Sequence, residues 1–336
     1  MPRIPFAELV PQLQDVLLAA GLPEPRAALV ARFFAENQRD GVYSHGLNRF
    51  SSFVALLESG RLICDADPVK VGGLGALEQW DGKMGVGLWN AHVAMSRAIE
   101  LAQTHGLGCV GLRNTNHWMR GGTYGLQAAG AGCIGICWTN TIPLMPPWGS
   151  ATVAIGNNPV VVAIPRRQGH LLLDMAMSQF SNGKLEVLKR LGRELPVAGG
   201  FNQEGNLTRN PGDILTSRRA LPIGYWKGSA LAVVLDAAAA LISGGQSSHE
   251  IGRQGAEYAV SQIFIAINVT ALSGPEHVDA TLDAIIDHLH TAIPLSKEES
   301  VRYPGEGMLR TRRESLEKGV LVEEHHLADL RERMTR

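Results

Sequence analysis

Residues 106–111 read Gly-Leu-Gly-Cys-Val-Gly, and residues 130–135 read Gly-Ala-Gly-Cys-Ile-Gly. Both spell the G-x-G-x-x-G of dinucleotide-binding turns. In that fingerprint the glycines follow a strand and open a helix, whose amino terminus faces the pyrophosphate. Here the order is reversed. Residues 91–105 carry a helical pattern and 109–112 a strand-like one. Residues 122–131 are again helical and 133–139 strand-like. The glycines are therefore expected to end helices and form tight αβ loops. No ordinary Rossmann unit is predicted, and a nucleotide site would have to be built another way.

Outward from this segment the alternation continues. Residues 160–164 and 171–175 read as strands, 184–191 as a helix, and 199–213 as a loop rich in Gly, Asn and Pro. An Ala-rich helix over 227–243 precedes a buried strand over 262–269. Both ends are helical. Leu9, Leu13, Val16 and Leu17 recur at helical spacing before Gly21. Pro25 suits the first turn of a second helix reaching about Arg39, and a third helix is predicted from near Ser44 to Gly60. Residues 280–289 are amphipathic and 323–334 charged. The expected fold class is α/β, with a helical domain made from both termini (1–75 and 278–336) around an α/β region (76–277).

The 336 residues are 45% hydrophobic and 19% charged, which excludes a disordered chain and a disulfide-stapled miniprotein. Lys plus Arg number 31 against 32 Asp plus Glu. Such a balance supplies no global attraction to nucleic acid or anionic lipid. The four cysteines are too scattered for a disulfide framework, and Cys109, Cys133 and Cys137 lie in apolar runs as reduced thiols. The apolar stretch over 230–242 is interrupted by Asp236 and is too short to span a bilayer. The amino terminus lacks a basic segment followed by an apolar one. A soluble cytoplasmic protein with no nucleic-acid or membrane partner is expected.

Of the eleven histidines, His288, His290, His325 and His326 lie in polar, helix-like sequence without metal-ligand spacing. They are expected to be solvated, and no metal is predicted. His45 differs. It lies in Gly41-Val42-Tyr43-Ser44-His45-Gly46-Leu47-Asn48-Arg49, where the third helix should begin. His45 and Arg49 are four apart, so a helix would place their Cβ atoms roughly 6 Å apart on one face. An imidazole, a guanidinium and an anion-favouring helix start would then converge. That set suits a carboxylate beside a carbonyl. Arg49 can hold the carboxylate in a bidentate pair, and His45 can exchange a proton with the neighbouring oxygen. Ser44 as an N-cap beside a polar first-turn histidine is the plainer alternative. His117 lies in a polar loop between a predicted strand and helix, a common site position in α/β folds.

These pieces occur in an order shared with a known family. They are Ser44-His45-Gly46 with Arg49, Asn116-His117, Ile155-Gly156-Asn157-Asn158-Pro159, Leu173-Asp174-Met175-Ala176-Met177-Ser178 and Trp226-Lys227-Gly228. The whole chain resembles the malate/L-lactate dehydrogenase family that lacks a Rossmann fold, also called sulfolactate-dehydrogenase-like. Stretches such as Asn116-His117-Trp118-Met119-Arg120-Gly121-Gly122 and Met145-Pro146-Pro147-Trp148-Gly149 mark a subgroup within it. The resemblance implies a homodimer and a non-Rossmann nicotinamide-binding domain of unusual topology, with its cofactor part over about 126–250. It implies hydride transfer between NAD(P)H and a small 2-keto acid or its 2-hydroxy product. NADH is expected, and NADPH stays open because the acidic-residue rule belongs to the Rossmann fold.

In this subgroup the histidine matching His45 is the proton donor, whereas in some relatives the one matching His117 has that role. On this reading Ser44, Arg49, Asn116, His117 and Thr141 line the substrate pocket, and Asp174 orients a pocket imidazole. The cofactor stretches fall on Leu172, Leu173, Asp174, Met175, Ala176, Met177 and Ser178, on Trp226 and Lys227, and on Gly305, Glu306 and Gly307. Where many relatives have Thr-Ser, this chain has Met177-Ser178. A reductase of another 2-keto acid or of a cyclic imino acid stays open within the family. From other classes, a metal-dependent hydrolase using the C-terminal histidines and a non-catalytic nucleotide-binding protein stay open.

Overall fold

A computed structural model describes residues 2–296 and 299–334. Its centre is a seven-stranded sheet of Val69–Leu74 (β1), Leu77–Asp81 (β2), Leu107–Thr115 (β3), Ile134–Thr139 (β4), Val160–Ile164 (β5), Leu171–Met175 (β6) and Val260–Ile267 (β7). The spatial order is β1-β2-β3-β7-β4-β5-β6. Only β2 and β3 run parallel; every other neighbouring pair is antiparallel. The helix Gly87–His105 (α4) links the parallel pair. A single parallel pair cannot build the doubly wound crevice of a Rossmann fold, as the reversed glycine runs foretold. Gly106 caps α4 at φ +82°. A Cβ on Gly108 would lie 2.1 Å from the Ala98 carbonyl oxygen, so only glycine lets β3 start this close to α4.

Side chains alternate across the sheet, and both faces are covered. Val110, Leu112, Cys137, Val161 and Phe264 point into the larger core, shared with α4, Gly122–Gly130 (α5) and the helices Phe6–Ala19 (α1), Glu24–Arg39 (α2) and Leu47–Glu58 (α3). Cys109, Trp138 and Ile263 point the other way, against Trp226–Ser243 (α7). The label α6 is given to Asn182–Arg190, which heads a small satellite core. The four cysteines are unpaired.

Several elements differ from the sequence reading. The hairpin β1–β2 joins the main sheet, so residues 69–74 leave the expected helical portion. Glycines and exposed side chains hide its alternation. The third helix starts at Leu47, because Tyr43–His45 forms a 3₁₀ turn that ends at Gly46. The 199–213 loop contains two short strands and the start of helix Pro211–Ser217. Pro275–His290 (α8) sits on the β5–β6 turn through Arg166–Asp283 and Arg167–Asp279 pairs rather than on the amino-terminal helices. Glu306–Lys318 (α9) and Glu324–Met334 (α10) do return to them. Arg3–Ile4 pairs with Val320–Leu321, and Ser51 donates to Asp329. α7 has 18 residues, one more than the predicted helix over 227–243, and by length and composition could cross a membrane, although its apolar stretch over 230–242 is expected from sequence to be too short. Its inner face is built into the sheet core, and its Asp236 accepts from Asn140 and the Ser248 amide.

One buried charge cluster ties the distant segments together. Asp40 ends α2 and is 4% exposed. It accepts from Arg39 Nε at 2.8 Å, Arg120 Nη1 at 3.0 Å, and Arg312 Nε and Nη2 at 2.9 and 2.6 Å. Burial alone would raise its pKa, but the bonds from Arg312 and Arg39 and the field of Arg120 bring it down to about 2. Removing the acid strands buried guanidiniums, so Asp40→Ala is expected to lose about 3–5 kcal/mol in urea unfolding. A loss below about 1 kcal/mol, the scale of an exposed pair, would show that the cluster does not hold the segments.

Candidate active site

The strand register brings one set of loops to a single end of the sheet. Thr115 of β3 lies opposite Val260 of β7, and Thr139 of β4 opposite Gln262. Val160 of β5 lies between Trp138 and Met175. The loops carrying Asn116, His117, Thr141, Ser178 and Glu257 therefore emerge together. The Asp40 cluster docks the 41–46 loop against them, because Asp40 lies five residues before His45 and Arg120 three after His117.

The two candidate histidines are neighbours. Their rings lie 5.9 Å apart, centroid to centroid, and within 15° of parallel. Their hydrogen-bond partners are not equivalent. Met119 N–H donates to His117 Nδ1 at 2.9 Å. A backbone amide can only donate, so Nδ1 keeps its lone pair and the ring proton is on Nε2. Protonating Nδ1 would break that bond. His45 Nδ1 instead faces Ser44 Oγ at 3.1 Å. A hydroxyl donates to a neutral imidazole or accepts from a charged one, so His45 can carry either charge state without losing its partner. The Asn37 side chain holds the His45 carbonyl at 2.9 Å.

Arg49 is in the first turn of α3, exposed, and its guanidinium makes no hydrogen bond or ion pair among the described residues. Its charge reaches both imidazoles. Burial, then the charges of His117, Arg49 and Arg120, lower the His45 pKa to about 3. Burial and Arg49 lower that of His117 to about 4. Both rings are therefore neutral near pH 7 in the free protein.

Other expected residues are placed differently. The Asn116 amide is 5% exposed and donates to the Met84 and Gly85 carbonyls at 3.0 and 2.8 Å. It anchors the His117 loop instead of facing a ligand. The buried Thr141 hydroxyl is engaged with the Ile142 carbonyl and Asn157. Asp174 accepts from the Gly122 amide at 2.9 Å and lies 3.8 Å from Arg120 Nε, with no imidazole contact. Ser44 and Met119 orient the imidazoles instead. His326 bonds Asn48 and His290 bonds Glu306. Among the described residues no three His, Cys, Asp or Glu side chains converge on a metal position.

The three expected cofactor stretches meet along β6. The Leu172 amide donates to the Pro304 carbonyl at 2.9 Å, beside Gly305 at φ +99°. The Ile223 amide donates to Met177 at 2.8 Å, which brings up the start of α7. Leu173, Trp226 and Lys227 are exposed there, and α7 begins without a side-chain cap. Exposed apolar surface, a cation and an uncapped helix start are what a dinucleotide needs for its rings and phosphates. Two members of the set turn away. Met177 is fully buried in the core against α7, so only its backbone is available. Glu306 folds back onto Tyr303 N and His290. Glu257 was not predicted. It follows no motif, and only the fold carries it to His117.

A paired-imidazole site beside a free arginine, on a non-Rossmann sheet, defines an oxidoreductase of an unusual class. Comparison with known proteins agrees. The model for the malate/L-lactate dehydrogenase family matches residues 4–331. A 2,3-diketo-L-gulonate reductase from Citrobacter koseri is 49% identical over 96% of this chain and 97% of its own. One from Klebsiella pneumoniae is 48% identical with the same coverage. The sulfolactate dehydrogenase of Methanocaldococcus jannaschii superposes with a TM-score of 0.90 at 27% identity, covering 99% of this chain and 97% of that one. The chain belongs to the malate/L-lactate dehydrogenase family.

An anion placed on Arg49 offsets one of the charges that, after burial, depress both imidazoles, so their pKa values are expected to rise and the site to take up protons. Titration calorimetry with oxamate in buffers of different ionisation enthalpy is expected to show net proton uptake that grows from pH 8 to pH 6. Proton release on binding would contradict this electrostatic picture.

Proposed function

We propose that this enzyme reduces the C2 keto group of 2,3-diketo-L-gulonate to give 3-keto-L-gulonate, with NADH as the reductant and His45 as the proton donor. The observation that carries the assignment is the unequal pair of Nδ1 partners beside an unpaired arginine. Arg49 holds the C1 carboxylate in a bidentate pair. That anion raises the His45 pKa, and the ring gains its proton with Ser44 still bonded as acceptor. The reduced nicotinamide, when bound, supplies the hydride. His45 then passes its proton to the alkoxide oxygen developing on C2 and is re-protonated from solvent. His117, committed at Nδ1, acts as a fixed Nε2–H donor in the pocket. The substrate name rests on the two reductases of nearly half identity, and the exposed Leu173, Trp226 and Lys227 beside the uncapped start of α7 support a dinucleotide.

The same reading includes a homodimer. The outer face of α7 leaves Leu231, Val234 and Leu241 exposed by 39, 62 and 79%. Such an apolar face favours cover by another protein surface, and a second copy fits that demand. Four unpaired cysteines suit a reducing, cytoplasmic setting.

The activity is tested by following NADH and NADPH oxidation by the purified protein with 2,3-diketo-L-gulonate, pyruvate and oxaloacetate. A kcat/KM for diketogulonate well above the other two, with NADH preferred, is expected. Turnover of another 2-keto acid alone would move the substrate. His45→Ala is expected to lose on the order of 10²–10⁴ in kcat, the scale of general acid catalysis. Near-normal turnover in that variant, with His117→Ala inactive, would exchange the two roles. Arg49→Lys should raise KM strongly, because a point charge cannot replace a planar fork. An unchanged KM would remove Arg49 from the carboxylate site.

A further inference from the structure

Glu257 is a carboxylate that approaches His117, one of the paired imidazoles, and its own bonding is incomplete. Its Oε1 lies 3.9 Å from His117 Nε2, with the two side chains 22 and 27% exposed. That separation is too long for a hydrogen bond. It leaves room for one oxygen atom about 2.8 Å from each, the usual O–H···O spacing. Among the described residues the Ile142 amide is the one hydrogen-bond donor that reaches the carboxylate, and burial pushes its pKa up. A carboxylate offers about four lone-pair positions. This one is only partly open to water, and the described residues supply too few donors to fill them, which is costly unless a ligand supplies more.

A purely structural role for Glu257 explains less. The Met119 amide already fixes the His117 ring, and at 3.9 Å the carboxylate adds no bond to it. A bridging hydroxyl satisfies both groups: it accepts from His117 Nε2–H and donates to Glu257. A carboxylate in the same position can accept from His117 but cannot donate to Glu257. It has no proton to give and meets the negative charge at short range in a partly dry site.

We infer that Glu257 is a specificity-determining residue that binds a hydroxyl on the tail of a polyhydroxy 2-keto acid and turns away 2-keto dicarboxylates. This deepens the proposed function and rests on it: the C1 carboxylate is on Arg49, C2 is at His45, and the hydroxylated tail passes His117 to reach Glu257. Glu257 takes no part in the proton transfer itself.

The test is the kcat/KM of wild type and Glu257→Gln for 2,3-diketo-L-gulonate and for oxaloacetate, with thermal melting to confirm folding. The variant is expected to lose roughly 10–100-fold with diketogulonate, the scale of one hydrogen bond to a charged group. It should gain with oxaloacetate, so the ratio of the two falls further than either value. Glu257→Asp keeps the charge but shortens the reach. It should lose diketogulonate turnover without gaining oxaloacetate, and it stands in if the amide variant does not fold. A fall by one common factor with both substrates, or an unmoved ratio, overturns the assignment of Glu257 and leaves the reductase reading intact. A wild-type enzyme inert toward every 2-keto acid overturns that reading and this inference with it.

Discussion

The site depends on the contact between Asp40 and Arg120. Arg120 is 4% exposed, and its Nε has no hydrogen-bond partner. A guanidinium in that position is tolerable only because Asp40 meets it on one side and Asp174 approaches on another. Three segments far apart in sequence are thereby fixed to each other: the His45 loop, the His117 loop and strand β6. Arg312 adds α9 to the same acid, and with it the Gly305 turn beside Leu172. The proposed substrate and cofactor regions thus share one electrostatic anchor, built from side chains that themselves need touch neither ligand.

The same positive charge has a cost for the chemistry. Burial first, and then the charges of His117, Arg49 and Arg120, push His45 toward neutrality, and a neutral imidazole with no substrate present has no spare proton to give. In the proposed mechanism protonation is linked to occupancy: the acid forms when an anion arrives and is absent otherwise. The partner on Nδ1 decides which ring benefits. Ser44 permits His45 to change charge, whereas the Met119 amide holds His117 in one tautomer. Two histidines of similar appearance in sequence are separated by whether the neighbouring donor can turn around.

Much of the scaffold was legible because it follows local periodicity. The reversed glycine runs excluded a Rossmann crossover, and β3, β4, β5 and β7 are largely apolar runs with both faces covered. The hairpin β1–β2 was not legible, since Gly72, Gly73 and the exposed Val71 and Leu74 give an edge strand no buried stripe. The spacing of His45 and Arg49 singled them out as a candidate pair on one helix face, but the 3₁₀ turn at Tyr43–His45 places the histidine before the helix rather than on it. Asn116 and Asp174 were read as pocket residues. Side-chain chemistry in a strand-end loop does not reveal that backbone carbonyls at Met84 and Gly85 already occupy the Asn116 donors. Glu257 was missed for the opposite reason. It has no neighbouring motif, and its meeting with His117, 140 positions earlier, exists only once β7 is inserted between β3 and β4.

The central claim is that His45 cycles its proton while His117 cannot. It is tested most directly by ¹⁵N NMR of the imidazole rings, with and without oxamate. The account predicts His117 as the neutral Nε2–H tautomer in both states, and His45 passing from neutral to doubly protonated when the anion binds. A doubly protonated His117 beside an unchanged His45 would contradict it.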